Sequence, residues 1–273
     1  MFNYETADNA PRMPYIKEYL EHQVFPFVDR SCDLTGYYSI QLHDSYTYLD
    51  DGKNYDNVFT FAKYKKDKGP VLFPDSYMMG NWGGQHNTLR DDIEWKNKKN
   101  KVVWKGTTTG NTDPIKNERI KTCLWSLKHR DICEFNITNV AQMNPGDALQ
   151  KIPNFRDIFS KQMNQQEQMN YKYHLSMDGN TCNWSVWPYF TKSLVFKYTS
   201  SEMLWYYPVF RNETHFVEVD RNSIVKQFDY YENNPREAQF IVENANRFAK
   251  EMFNPVVTQR YTINLFESIA HNK

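Results

Sequence analysis

The chain has 273 residues, and its 33 lysines and arginines are matched by 33 aspartates and glutamates, so the formal net charge is zero. That balance excludes broad electrostatic adhesion to nucleic acid or to an anionic membrane. Aromatic residues make up 16% and glycine only 10 residues, which excludes a collagen-like or low-complexity chain and leaves one large domain or two small ones.

The opening MFNYETADNAPRMPY has neither a basic nor an apolar segment, so no signal peptide is expected. No run approaches the ~18 apolar residues that span a bilayer. Cys32, Cys123, Cys133 and Cys182 form no C-x-x-C and no zinc spacing and read as reduced thiols. Together these features point to a cytoplasmic protein without a membrane span. The sequons at Asn136, Asn183 and Asn212 then read as chance. The abundant rings either face sugars or bases or, more simply, build the core.

In chain order, residues 13–29 read as an amphipathic helix with Ile16, Leu20, Val24 and Phe25 on one stripe. Strands follow at Tyr37 to Leu42, Val58 to Phe61 and Pro70 to Phe73, with a polar turn from His43 to Lys53. Asp75 to Asn100 reads mostly as loop. Lys101 to Trp104 is a strand running into the loop Lys105-Gly106-Thr107-Thr108-Thr109-Gly110. A helix begins at Asp113 as N-cap with Pro114 in its first turn. Cys133 to Ile137 is a strand, and 138–165 is irregular. A strand from Tyr171 to Met177 breaks at Asp178-Gly179-Asn180, a helix starts near Asn183 or Trp184, and a strand from Ser193 to Phe196 ends on Lys197. Glu202 to Tyr207 reads as a short helix stopped by Pro208, His215 to Val219 as a strand, Pro235 to Met252 as a helix and Val256 to Ala270 as the last helix. Alternating strands and helices predict an α/β fold with largely parallel sheets.

Loops after strands that face helix N-termini are where anionic ligands sit in such folds. The 105–110 loop offers backbone N–H groups and threonine hydroxyls to a phosphate, although no G-K-[ST] closes it as a P-loop. The Asp178-Gly179-Asn180 elbow offers a carboxylate for sugar hydroxyls and a glycine for close approach. For both, a structural turn is the simpler reading. Lys197 reads either as a cation for a diphosphate or as a solvated strand-end lysine. Arg119 suits a bidentate phosphate contact or the surface. Asp44, after the first strand, is placed for a general base, with a turn aspartate the simpler reading. No D-x-D occurs. Glu218-Val219-Asp220 comes nearest, so cations and helix dipoles rather than a divalent metal are expected at any diphosphate.

Taken in order, Val58 to Lys63, Val71 to Asp75, Val103 to Thr107 with Arg119, Tyr171 to Trp184, Ser193 to Lys197, Glu202 with Trp205 to Pro208, and His215 to Val217 resemble glycosyltransferase family 90. That family includes LpsA-type, capsule-associated xylosyltransferase and Rumi-like protein O-glucosyltransferase branches, and members occur in bacteria and large DNA viruses. The Trp184-Ser185 pair is most similar to the LpsA-type branch. The resemblance implies a GT-B-type α/β fold, two Rossmann-like lobes facing across a cleft. The lobes would be 1–100, completed by a helix at 255–273, and 101–254. It implies inverting transfer of xylose or glucose from a UDP-sugar to a glycan or glycoprotein acceptor, with no metal and no cofactor. Asp44 would be the base, although only the aspartate of an Asn-x-Arg-Asp pattern survives in Gln41-Leu42-His43-Asp44. Donor contacts would come from Lys105, Gly106, Thr107, Thr108, Arg119, Asp178, Gly179, Asn180, Trp184, Ser185, Lys197 and Glu202. Lys105 stands where the family usually has arginine, and Ser185 where the Rumi-like branch has one. A binding relative without catalysis is the alternative. A nucleotide hydrolase would need a metal or nucleophile constellation, which the sequence lacks.

Overall fold

The structure, a computed structural model, describes residues 12–35, 38–41, 58–79, 88–182 and 185–271. In chain order its first elements are α1 (Met13–Tyr19), β1 (Ser39–Ile40), β2 (Val58–Thr60), β3 (Lys63–Tyr64), β4 (Val71–Leu72) and α2 (Ser76–Met79). Then come β5 (Lys99–Thr107), α3 (Glu118–Ser126), β6 (Cys133–Asn139), α4 (Pro145–Lys151), α5 (Gln165–Gln168), β7 (Tyr171–Ser176) and β8 (Leu194–Tyr198). The chain closes with β9 (Glu202–Met203), β10 (Val217–Val219), α6 (Ile224–Asn233), α7 (Pro235–Met252) and α8 (Pro255–His271). It divides into two compact units. Unit 1 is Met1–Thr88, Glu202–Tyr206 and Lys250–Lys273; unit 2 is Leu89–Ser201 and Tyr207–Ala249.

Unit 1 holds a three-stranded parallel sheet in the order β1-β2-β4, and β3 pairs antiparallel with β9. Its core is aromatic: Phe59 meets Phe73 and Phe266 with ring centroids 5.5 and 5.3 Å apart. The stripe expected over 13–29 is buried at Ile16, Leu20 and Val24, but the helix does not stay regular. It passes into a π turn at Leu20–Val24 and a 3₁₀ turn at Phe25–Phe27, where Pro26 has no N–H to carry an α-helix onward. Glu202 and Met203 pair with Tyr64 and Lys63, so the expected helix at 202–207 is a β-bridge and a turn: cross-chain pairing outweighs local propensity.

Unit 2 is built on a five-stranded sheet in the order β10-β8-β7-β5-β6, parallel throughout. Every residue of the central β7 is buried, as a strand covered on both faces requires. Within the unit the strands run second, first, third, fourth, fifth across the sheet. The direction of winding therefore reverses between β5 and β7, and the crevice beyond their carboxyl ends is where a doubly wound sheet binds ligands. One buried cluster joins Val102, Trp104, Phe135 and Phe196 of the sheet with Ile120 of α3, Phe228 of α6 and Ile241 of α7.

Three expectations for this unit change. The strand expected at 101–104 runs on through Lys105, Gly106 and Thr107, which pair with Asn136, Ile137 and Asn139 of β6. The helix starts at Glu118, not at Asp113. Its N-cap is the fully buried Asn117, whose Oδ1 accepts from Ile120 N at 3.1 Å while its Nδ2 donates to Thr108 O and Asn111 O. Asp113 instead closes a local turn by accepting from Ile115 N at 3.0 Å. Between β7 and β8 the described residues hold only a 3₁₀ turn, Trp187–Phe190, where a helix was expected. Helix α6, not anticipated, buries Ile224, Phe228 and Tyr231. Among the described residues no helix is long and apolar enough to cross a membrane.

Candidate functional site

The two loops that flank the reversal point, 107–110 after β5 and 177–182 after β7, are joined by Arg119 from the first turn of α3. Its Nε donates to Asp178 O at 2.7 Å, and Nη2 to Met177 O at 3.1 Å. On the other side Nη1 donates to Thr107 O at 3.1 Å and Thr109 Oγ1 at 2.5 Å. Four of its five N–H groups thus bind protein acceptors. The guanidinium also lies over the Trp104 ring, 5.4 Å from its centroid. Burial lowers its pKa to about 10, with the Asp178 carboxylate opposing the shift, so it stays charged at neutral pH. Gly179 makes the clamp possible: a Cβ there would stand 2.8 Å from both Arg119 Nη2 and Thr109 Oγ1. Asn180 adds a fifth tie, its Oδ1 accepting from Gly110 N at 3.0 Å.

Lys197, next to last in β8, differs from every other buried lysine at this sheet. It is 7% exposed, and among the described residues no hydrogen bond or ion pair reaches its ammonium. It lies instead over the rings of Tyr207 and Phe216, at 4.7 and 6.0 Å from their centroids. Cation–π attraction offsets only part of the cost of removing an ammonium from water. Lys105 contrasts with it. Its Nζ donates to Glu134 Oε1 at 3.0 Å, Asn136 Oδ1 at 2.6 Å and Ser160 Oγ at 3.2 Å, which uses all three ammonium hydrogens. Gly106 lies against the Trp104 indole, where a Cβ would come within 2.5 Å of the ring. Thr108 is buried, its hydroxyl donating to Ala141 O and accepting from Ala141 N, both at 2.8 Å.

The Glycosyl transferase family 90 profile matches residues 50–272. The chain belongs to glycosyl transferase family 90. No curated protein matches it. Solved structures that resemble this family 90 chain in part include TarM, at 13% identity over 77% of this chain and 39% of that one, with a TM-score of 0.44. Anabaena HepE in complex with UDP is 11% identical over 68% of this chain and 53% of that one, at 0.42. Sucrose-phosphate synthase from Thermosynechococcus elongatus is 12% identical over 80% of this chain and 54% of that one, at 0.42. The chain spans about half or less of the length of these proteins.

The structure of this family 90 member therefore brings Thr107, Arg119, Asp178, Gly179 and Asn180 together at the reversal point. Lys197 stands near the same carboxyl edge of the sheet. Ser185 is half-buried in the β7–β8 connection. Glu202 belongs to unit 1, opening β9. Asp44 and Trp184 lie outside the described residues. Asp220, part of the nearest approach to D-x-D, is occupied by its own turn, with Oδ1 accepting from Asn222 N and Ser223 N at 3.0 and 2.9 Å. Among the described residues no group of three or more His, Cys, Asp or Glu is arranged around a common point that would hold a metal ion. Sequence reasoning missed Asn117, Trp104 and the Tyr207–Phe216 pair around Lys197. Only Asn117 carried a usable sign, as an asparagine directly before the Ile120–Cys123–Leu124 stripe.

Proposed function

We propose that this chain is an inverting, metal-independent glycosyltransferase of GT-B type, moving xylose or glucose from a UDP-sugar to a hydroxyl of a glycan or glycoprotein. The observation that carries this reading is Lys197: a buried ammonium without an anionic partner among the described residues, at the carboxyl edge of a doubly wound sheet. A lone buried cation costs several kcal/mol, and a site that keeps one is suited to an anion that arrives with the substrate. Family membership supplies the reaction class.

On this reading Asp44 takes the proton of the acceptor hydroxyl as that oxygen attacks the anomeric carbon. The bond from carbon to the β-phosphate oxygen breaks, and UDP leaves with the electron pair. Lys197 stabilises the charge that grows on the leaving diphosphate. Thr107, Asp178, Asn180, Trp184 and Ser185 hold donor sugar or nucleotide, and Glu202 assists from its own segment. Lys105, Gly106, Thr108 and Arg119 shape the loops behind them.

The test is UDP release from UDP-xylose and UDP-glucose in the presence of mixed glycan acceptors, alongside UDP binding. Asp44→Asn should cut turnover by about 10² or more and leave UDP affinity nearly intact. Lys197→Met should weaken UDP binding and turnover together. Wild-type protein that binds UDP yet turns over neither donor would instead be the non-catalytic relative.

A further inference from the structure

We infer that unit 2 carries a second carbohydrate site, a groove between α6 and α7 that takes a neutral oligosaccharide. The inference goes beyond the transfer reaction and does not rest on it. The groove has a volume of about 610 Å³, with Tyr230, Phe240, Glu213, Glu237, Lys226 and Arg236 among the residues around it. That is the size range of small-ligand sites.

Its chemistry is specific in two ways. First, it presents rings to water: Phe240 is 61% exposed and Tyr230 45%. An isolated exposed ring needs no explanation, but two on adjacent helices lining one concave surface do. The Tyr230 hydroxyl donates to Glu237 Oε2 at 2.8 Å, which ties α6 to α7 and fixes the ring's position before any ligand arrives. Among the described residues no donor is within hydrogen-bond distance of Glu237 Oε1, which leaves it as an acceptor for a hydroxyl. Second, the rim is electrically balanced, with Lys226 and Arg236 against Glu213 and Glu237. A nucleotide or an acidic polymer would want a net positive rim, and a basic peptide a net negative one. A neutral ligand with many hydroxyls wants what is here: donors and acceptors in equal supply around aromatic faces. The C–H face of a pyranose ring presents partial positive charge to the negative face of an aromatic ring.

The groove is not part of the anion site. Glu213 lies before the start of β10, and Glu232, one residue beyond Tyr231, binds Lys172 Nζ at 3.2 Å and the Tyr173 hydroxyl at 2.7 Å at the beginning of β7. These contacts put the Tyr230–Tyr231 turn at the amino edge of the sheet. The 107–110 and 177–182 loops leave from its carboxyl edge.

The test is titration calorimetry, without UDP, of xylohexaose, cellohexaose and maltohexaose, with a heparin hexasaccharide as the anionic control. Wild type should bind at least one neutral hexasaccharide and not the heparin fragment. Phe240→Ala and Tyr230→Ala should each weaken that binding by about tenfold, the worth of one aromatic contact, with UDP affinity unchanged. Leu149→Ala, at an exposed apolar residue on α4, should leave it intact. Failure of all three neutral sugars to bind, or binding that survives both ring deletions, overturns the proposal. A change of sedimentation coefficient in Phe240→Ala without sugar binding would also overturn it, and would assign the groove to self-association.

Discussion

At the scale of single residues, the basic side chains near the carboxyl edge divide by what their donors already hold. Lys105 has three acceptors within hydrogen-bond distance and Arg119 has four. An arginine that bridges Thr107 and Thr109 on one loop to Met177 and Asp178 on the other determines where both loops stand. Arg119→Lys keeps the charge but loses the planar fork, so it cannot span both loops. Losing two or so net hydrogen bonds at about 1 kcal/mol each should weaken binding roughly tenfold or more, and uridine and UDP should suffer alike because whole loops shift. Nucleoside and nucleotide affinities measured side by side decide it. Direct contact with the diphosphate would weaken UDP alone, and that result would return Arg119 to a phosphate ligand.

At the scale of elements, β7 was legible as a strand because Tyr171, Tyr173, Leu175 and Met177 alternate with Lys172, His174 and Ser176, and so was the break at Asp178-Gly179. The start of α3 was misplaced because Asp113-Pro114 carries the usual signs of a helix start. What decided between it and Asn117 was burial: the Asn117 side chain links Thr108, Asn111 and Ile120, a set no local pattern reveals. The β9 pairing was invisible for a like reason, since its partner lies about 140 residues earlier in the chain. The same central strand carries a pH liability. His174 is buried against Trp187, ring centroids 5.0 Å apart, and among the described residues its Nε2 has no hydrogen-bond partner. Burial, with Lys98 adding to it, lowers the imidazole from 6.5 to about 3. Folded protein therefore binds this proton less readily than unfolded protein. The stabilising contribution is complete above about pH 6.5 and is lost progressively as pH falls toward 3. Chemical denaturation at successive pH values should give a slope lower by up to about 1.4 kcal/mol per pH unit across that window in His174→Leu. Parallel wild-type and variant curves would mean another group carries the acid sensitivity.

At the scale of the whole molecule, the two units differ in how the chain makes them. Unit 2 is two long segments around one five-stranded sheet, and it contains Thr107, Arg119, Asp178 and Lys197. Unit 1 is assembled from three separated segments, among them a five-residue piece, Glu202–Tyr206, and the C-terminal helix. Compositional reading could anticipate two α/β lobes from alternating strands and helices. It could not find the five-residue return, because long-range contacts give that segment its place: the β3 pairing and the rings of Trp205 on Tyr261 and Tyr206 on Phe253. A ligand that binds one unit stabilises that unit by mass action and leaves the other alone. Calorimetric unfolding should therefore resolve two transitions. UDP at one hundred times its dissociation constant adds about 2.7 kcal/mol to whichever unit binds it. For a unit the size of unit 2 that raises its transition by roughly 5–10 °C, with the second transition staying in place. Lys197→Met at the same UDP concentration should show a smaller rise. One transition that moves as a whole would mean that the units fold as a single cooperative body, and the donor site would then have to be sought in both.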